Sequence, residues 1–336
     1  MKNQRKRIKV FLLFFSVLFV FNCDYKREAI GGSDEIVVLS AKEDREKISL
    51  ILNQIFQENI LTPSPESFYR IIFANPEDFS ALKNQTNLII ASLGDYELNP
   101  GSKLTKELLG EKKYNQLIEK DQIIISKNQF AMNQVFMIIG SKEINELQNF
   151  ADKNAEFIKE QFDQNFINKQ SQFILQSKRQ EIIEGELKEK YNWTINIPWG
   201  WEIIKDDAKN NFFWMGQEMP FRWIAVHWVD GQFFSEQEIR NLTLELPIKN
   251  FKNIQFNQDY IFTEWQNYNE DYGYKIDGLW ESIEEAKGGP FSSFVFFDQE
   301  TNRTFFITYL VFNPGGKKVF YLKQMELIAK TFKSNP

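Results

Sequence analysis

The apolar positions at the start of the chain form one short run from Val10 to Phe21, interrupted only by Ser16. Five cationic residues precede this run: Lys2, Arg5, Lys6, Arg7 and Lys9. A basic head followed by about 7 to 15 apolar residues is typical of a secretory signal, whereas a membrane-spanning helix needs about 20. The pattern therefore predicts a signal peptide over residues 1–22.

Cys23 directly follows this segment and is the only cysteine of the chain. Its position is that of the acylated cysteine of bacterial lipoproteins, with Val20 at the expected spacing and with Phe21 and Asn22 bulkier than usual. We predict that Cys23 carries lipid such as palmitate and anchors the protein in the inner or outer membrane, facing the periplasm or the cell surface. An ordinary cleaved signal and an uncleaved anchor are the alternatives. The polar residues 23–34 are expected to form a flexible tether.

Short apolar runs alternate with amphipathic segments over residues 35–141. Residues 87–93 (NLIIASL) are apolar on both faces, which predicts a central strand. Strands are predicted at 35–40, 68–74, 87–93, 121–126 and 135–140, and helices at 42–59 and 103–120. This order predicts an N-terminal α/β sandwich.

A long polar stretch, residues 142–190, carries apolar side chains at helical spacing. It is expected to form a helical connector, either as one helix or as two helices kinked near 165–171. The connector either packs against both domains or serves as an arm that binds a partner.

Beyond Tyr191 the apolar positions follow a period of two and are rich in aromatic residues. Strands are predicted at 193–198, 201–205, 211–216, 221–229, 272–282, 290–297 and 303–313, and helices at 232–250 and 317–332. Ser235 and Glu238 have the spacing of a capping box at the start of the first helix. Residues 191–336 are therefore predicted to form an antiparallel sheet flanked by helices, an α+β domain.

Composition agrees with two globular domains. All eight tryptophans lie between Trp193 and Trp280, so the two halves have different core chemistry. The formal net charge of −6 becomes −11 once the five cations of the signal are removed, which disfavours nucleic acid as a partner. With a single cysteine, no disulfide can form within the chain. No cofactor or metal is predicted.

One set of aromatic residues is the strongest candidate for a ligand face. It comprises Trp199, Trp201, Trp214, Trp223, Asp277 and Trp280. Aromatic rings beside a carboxylate suit a sugar or a peptide, so the possible partners are an envelope protein or a glycan. The competing interpretation is a buried core, because aromatic side chains carry large apolar surfaces.

Other candidate chemistry is sparse. His227 is the only histidine, and no G-x-S-x-G motif supplies a nucleophile for it, so a structural role is favoured. The turns at 287–290 and 313–318 resemble phosphate cradles but lack the spacing of known phosphate loops, although the second precedes a helix whose N-terminus could hold an anion. A hydrolase could use Asp277 with Glu281 or Asp298 as a carboxylate pair.

Several segments carry a family resemblance: IPWGWEIIKDD at 197–207, FFWM at 212–215, DGLWES at 277–282 and the stretch beginning KGGPFSSF at 287. In this order they resemble the domain of unknown function 4837 family, lipoproteins of Gram-negative bacteria, and the layout is similar over the whole mature chain. The resemblance implies an exported, lipidated protein of unassigned activity and carries no catalytic residues. We interpret the chain as a membrane-anchored envelope lipoprotein that binds or assembles without catalysis. The alternatives are an envelope hydrolase and a structural element that uses the long helix.

Overall fold

The computed structural model describes residues 26–58, 60–94, 97–176, 178–233, 235–268 and 271–335. The signal peptide and Cys23 lie outside these residues, so both stay predictions from the sequence. Among the described residues, no helix is long and apolar enough to cross a membrane. The described chain is built on two large sheets with flanking helices, and this confirms the predicted combination of an α/β half and an antiparallel α+β half.

The first half holds a five-stranded sheet. In chain order its elements are β1 (Glu35–Leu39), α1 (Arg45–Phe56), β2 (Arg70–Ala74), α2 (Phe79–Leu82), β3 (Asn87–Leu93), α3 (Pro100–Leu109), α4 (Glu111–Gln116), β4 (Ile123–Lys127) and β5 (Val135–Ser141). The strand order is β2-β1-β3-β5-β4, with only β4 antiparallel to its neighbour. Every residue of β3 and β5 is buried, because helices cover both faces of the sheet.

Part of the segment expected to be a flexible tether is held against this sheet. The Ala29 N–H donates to the Met132 carbonyl over 2.9 Å, and the Ile30 N–H donates to the Asn84 carbonyl over 2.9 Å. Ala29 and Ser33 are buried. The expectation of free chain is therefore wrong for residues 27–34, because their backbone groups find partners in the loops that precede β3 and β5.

The connector consists of two helices, α5 (Ile144–Ile174) and α6 (Glu181–Tyr191). The helix ends after Ile174, beyond the predicted kink near 165–171. Phe162 and Phe166 of α5 pack in the core of the first half, whereas Ile174 packs in the core of the second half. The connector therefore contacts both halves along its length and is not an isolated arm.

The second half holds a seven-stranded antiparallel sheet. Its elements are β6 (Trp193–Thr194), β7 (Glu202–Asp207), β8 (Phe212–Gln217), β9 (Phe221–Asp230), α7 (Glu236–Asn250), β10 (Ile254–Tyr268), β11 (Asp271–Ser282), β12 (Gly288–Asp298), β13 (Arg303–Phe312), α8 (Val319–Ala329) and β14 (Lys333–Ser334). The order in the large sheet is β10-β11-β12-β13-β9-β8-β7. Helix α7 covers one face, and α6 and α8 cover the other.

The edge strand β10 was not predicted from the sequence. It has 15 residues, and its register with β11 shifts between Phe256 and Ile261. The irregularity interrupts the period-two pattern on which the prediction depends, and most side chains of this edge strand are partly or fully exposed. The capping box of α7 is confirmed, because the Ser235 and Glu238 side chains each bond to the other residue's backbone N–H.

Helix α8 joins the two halves. Val319 packs in the core of the first half, whereas Met325 and Ile328 pack in the core of the second half. The Gln324 side chain donates to Gln170 Oε1 of α5 over 2.7 Å. Helices α5 and α8 thus lie between the two sheets and fix the shape of the space between them.

Candidate functional site

The predicted aromatic ligand face is not a single surface. Trp214, Trp223 and Trp280 cluster on the α7 side of the large sheet, with ring centroids 6.1 Å apart for the first pair and 5.7 Å for Trp223 and Trp280. Trp201 is buried on the opposite side, and Trp199 is 70% exposed and outside both cores. The Trp280 indole donates to the Val311 carbonyl over 3.2 Å, so most of this set belongs to a core.

Asp277 does not join the tryptophans. Successive residues of a strand point to opposite faces, so Ile276 and Trp280 face α7 while Lys275 and Asp277 face α8. The prediction that Asp277 and Trp280 share one face is therefore wrong.

The predicted carboxylate pairs are not brought together either. Glu281 lies four residues beyond Asp277 on the same strand, which separates them by ~13 Å. Asp298 lies six residues beyond Ser292, the partner of Asp277 on β12, which gives ~20 Å. Paired carboxylates of glycoside hydrolases lie about 5 to 10 Å apart. Neither pair has that geometry.

His227 is a structural residue. Its Nδ1 lies 3.0 Å from the Asn211 carbonyl oxygen, and its ring lies beside those of Phe212 and Phe306. Burial lowers the pKa of His227 to about 4, against the opposing hydrogen bond to Asn211. The imidazole is therefore neutral at pH 7, with the Nδ1 proton donated to that carbonyl.

The turn at 313–318 is filled by a carboxylate from the first half of the chain. Glu66 Oε2 accepts hydrogen bonds from the backbone N–H groups of Lys318 and Val319, at 2.6 and 3.3 Å. The Lys318 ammonium lies 2.7 Å from Glu66 Oε1. The sequence predicted that this helix N-terminus could hold an anion, and that anion is the Glu66 carboxylate of the protein itself. In the other turn, Lys287 pairs with Glu285.

A cleft of about 680 Å³ lies between the two halves. Strands β10 to β13 form one wall with Phe262, Glu264, Lys275, Asp277, Ser292 and Tyr309. The loop after α1 and helix α8 form the other wall, with Glu58, Ile60, Leu322, Lys323 and Glu326 among its side chains. Clefts of this size between domains are where small ligands most often bind.

Glu58 connects the first half to α8 across the cleft. Its Oε1 lies 2.9 Å from Lys323 Nζ and 3.5 Å from Lys159 Nζ. Its Oε2 is buried and receives no hydrogen bond. Burial disfavours charge on Lys159, yet the hydrogen bond to Asp163 and the charges of Asp163 and Glu58 raise the pKa of the Lys159 ammonium.

A second polar network lies on the sheet wall. Lys275 Nζ lies 3.6 Å from Asp277 Oδ2, and Asp277 Oδ1 accepts a hydrogen bond from Ser292. Ser292 also interacts with the hydroxyl of the fully buried Tyr309. Burial, followed by the charges of Glu326 and Asp277, raises the pKa of Tyr309 well above its usual range, so the phenol is neutral.

The lysine of this network is charged at neutral pH. Burial disfavours the charged form of Lys275, but the carboxylates of Asp277, Glu326 and Glu58 raise its pKa. Burial likewise disfavours the charged form of Glu326, but Lys275 and Lys330 lower its pKa. A protonated Lys275 cannot serve as a general base, and the Ser292 hydroxyl is oriented by its hydrogen bond to Asp277.

A second groove, of about 490 Å³, lies near the far end of the sheet beside Trp265 and Tyr272. Its carboxylates are engaged locally, since Asp298 accepts from the Thr301 N–H at 2.9 Å and Glu300 accepts from Asn335 at 2.6 Å. Compared with this groove, the cleft between the halves therefore has more polar groups available to contact a ligand.

This cleft could not be predicted directly from the sequence. Glu58 follows a helix, Lys275 and Asp277 occupy the polar positions of a strand, and Glu326 lies on a helix. Each of these patterns is typical of a solvated face, and the residues are up to 268 positions apart. The one available hint was that the polar side chains of β11 alternate with buried ones in a strand next to the sheet edge. Within the described ranges, no group of three or more His, Cys, Asp or Glu side chains is placed to hold a metal ion.

Residues 179–331 match the family described as Domain of unknown function (DUF4837). The resemblance to this family that the sequence indicated is thus confirmed for residues 179–331. The match covers the large sheet, α7 and α8 and leaves out the first sheet, so it is narrower than the whole-chain resemblance expected from the sequence. No curated protein matches the chain.

Solved structures give only remote likenesses. The Ran-binding protein Mog1p of Saccharomyces cerevisiae is 9% identical, with a TM-score of 0.30 over 43% of this chain and 90% of its own. LpqN, described as involved in cell envelope biogenesis of Mycobacterium tuberculosis, is 10% identical, with a TM-score of 0.27 over 42% of this chain and 81% of its own. Likeness at this level carries no argument about what this chain does.

Proposed function

We propose that this protein is a lipid-anchored component of the bacterial cell envelope that binds a ligand, without catalysis, in the cleft between its two halves. The observation that carries the binding role is the convergence of Glu58, Lys275, Asp277 and Glu326 around a cleft of about 680 Å³. These groups come from both halves, and Phe262 and Leu322 add apolar surface beside them.

The signal segment and Cys23 support the envelope location. Signal cleavage before Cys23 and acylation of its sulfur would place the folded chain at the membrane face, in the periplasm or at the cell surface. Ser33 and Ala29 are buried against the first sheet, so only a short stretch separates the lipid from the folded protein. A membrane-proximal body of this kind suits capture of a ligand or an envelope partner.

The two alternative functions have less support. For a hydrolase, Asp277 lies too far from Glu281 and Asp298, and the Lys275 amine is protonated. For a structural element built on the long helix, one side of α5 is already packed against both halves.

Site-specific photo-crosslinking in living cells tests the binding role. A photoreactive phenylalanine analogue at Phe262, which is 61% exposed at the cleft, is expected to yield a discrete adduct in envelope fractions. The matched control places the analogue at Leu50, which is similarly exposed on α1 outside the cleft. Equal adducts at the two positions, or none at Phe262, would contradict cleft binding.

A further inference from the structure

The described chain begins close to the position predicted to carry the lipid. Lys26 is the third residue after Cys23, and its ammonium donates to the Asn128 and Gln129 carbonyls over 2.7 and 3.0 Å. Because an extended chain covers at most about 3.5 Å per residue, Cys23 lies within roughly 10 Å of Lys26. Lipid on Cys23 would therefore hold the loop at 128–133 close to the bilayer.

The last turn of α5 lies at the same end of the molecule. Asn133 Nδ2 donates to Gln172 Oε1 over 2.8 Å and lies 3.2 Å from both carboxylate oxygens of Glu28. The next residue of the helix, Phe173, is 74% exposed. A large apolar ring is therefore in water beside the segment that leads to Cys23.

Two further loops reach this end. The Trp199 N–H donates to the Lys178 carbonyl over 3.1 Å, just beyond the end of α5. A Cβ placed on Gly200 would lie 3.8 Å from the side chain of Gln217, in the turn between β8 and β9. Met219 of this turn is 88% exposed. We call the surface formed by residues 26–30, 128–133, 172–176, 178, 198–200 and 217–220 the anchor end.

The anchor end is both apolar and basic. Its exposed large apolar side chains are Ile30, Met132, Phe173, Trp199 and Met219. Its exposed charged side chains are Lys26, Arg27, Lys178, Glu28 and Glu218, a balance of +1 on a mature chain of charge −11. Apolar side chains gathered on one surface mark a contact site, and tryptophan beside cations suits the head-group region of a membrane.

We propose that the anchor end lies against the bilayer that holds the Cys23 lipid, with Phe173, Trp199 and Met219 at the level of the lipid head groups. This inference rests on the lipid anchor of the proposed function and adds a second contact with the same membrane. A single tether leaves a protein free to turn, whereas a second contact fixes which end faces the bilayer.

The opposite end of the large sheet then faces away from the membrane. Gly273 is in register with Trp228 across β12 and β13. Trp228 lies seven residues along β9 from Phe221, which follows the Met219 turn, and this separation is about 23 Å. Tyr272, next to Gly273, is 65% exposed and is therefore a matched position far from the anchor end.

Photo-crosslinking to lipid in living cells tests the contact. Cells are grown with radioactive phosphate, which labels lipid head groups and not an acyl anchor. A photoreactive phenylalanine analogue at Phe173 or at Trp199 is expected to give radioactive protein after irradiation and denaturing purification. The same analogue at Tyr272 is expected to give only background label.

Each other outcome counts against the inference. Equal label at the three positions, or none at Phe173 and Trp199 in protein that still sediments with membranes, overturns the bilayer contact and leaves the anchor standing. A discrete protein adduct in place of lipid assigns the anchor end to a protein partner and overturns it too. Unlabelled protein in the soluble fraction shows that the anchor itself has failed, and the inference falls with it.

Tryptophan fluorescence gives a second measurement on the purified acylated protein in lipid nanodiscs. The emission lost in Trp199→Phe is that of Trp199, and lipids with brominated acyl chains are expected to quench it. The matched control is Trp265→Phe, which isolates another exposed tryptophan on the distant part of the sheet, and its emission should be unaffected. Quenching of both tryptophans, or of neither, overturns the proposed orientation.

Discussion

Glu66 of the first half caps the first turn of α8 in the second half, with its Oε2 2.6 Å from the Lys318 backbone nitrogen. The same carboxylate pairs with the Lys318 ammonium at 2.7 Å, and both side chains are largely buried. Carboxylates stabilise helix N-termini because they satisfy free N–H groups and oppose the helix dipole. This contact therefore joins the two halves.

Removal of this cap is expected to destabilise the whole protein. Glu66→Ala leaves the Lys318 ammonium and two backbone N–H groups without their acceptor, at a cost of about 2 to 4 kcal/mol. Urea unfolding followed by tryptophan fluorescence measures the loss, because all eight tryptophans lie in the second half. Glu77→Ala, at an exposed position, is the control. Unchanged fluorescence midpoints in Glu66→Ala would show that this cap contributes nothing to stability.

The general architecture could be predicted because it depends on local periodicity. Strand β3 is a mostly apolar run of seven residues, and strands β8 and β13 alternate or cluster aromatic residues in runs too short for helices. The capping box at Ser235 is likewise a local pattern. Such features are present within ten residues of sequence, so no knowledge of the fold is needed.

The cap and the cleft could not be predicted, because they depend on how distant segments meet. Glu66 and Lys318 are 252 residues apart, and each alone is typical of a solvated loop. Lys275 and Asp277 occupy the polar positions of an alternating strand, and that pattern does not show that α8 and a loop of the first half partly cover their face. The aromatic face was assigned by composition, and composition does not tell which side of a strand a ring occupies.

The single histidine gives a prediction about pH. The folded pKa of His227 is about 4, whereas that of an unfolded chain is about 6.5, so the unfolded state binds the proton first as pH falls. Stability from neutral His227 is thus complete above pH 6.5 and is lost between pH 6.5 and 4, by up to about 3 kcal/mol. Urea unfolding of the native protein and of His227→Gln across this range isolates the effect, because the carboxylates are common to both. A direct NMR titration of the imidazole gives the folded value, and a midpoint near 6.5 would contradict the buried, neutral ring.

Two glycines are expected to respond oppositely to alanine. Gly185 lies on the exposed side of α6, and an added Cβ meets nothing within 4 Å, so Gly185→Ala should stabilise the protein by about 0.5 to 1 kcal/mol. Gly289 is buried in β12, and an added Cβ would collide with the Val311 carbonyl oxygen and lie 3.1 Å from Trp280 Nε1. Gly289→Ala should therefore destabilise it by about 1 to 3 kcal/mol. Thermal unfolding of the two variants beside the native protein measures both changes, and a shift of the same sign in both would contradict the packing around β12.

The anchor gives the last prediction, which concerns Cys23. If this sulfur carries the lipid, Cys23→Ser removes the only site of acylation in the chain. Because two acyl chains bind a bilayer far more firmly than one, the native protein should sediment with membranes and resist extraction by salt. In a Gram-negative host fed labelled palmitate, the native protein should carry the label and the Cys23→Ser form should lack it. Once its signal peptide is cleaved, the Cys23→Ser form should also leave the membrane fraction. Among the described residues no helix could span the bilayer, so retention of the unlabelled variant in membranes would indicate an uncleaved signal segment as the anchor. Undiminished label in Cys23→Ser would show that the lipid is attached at another position of the chain.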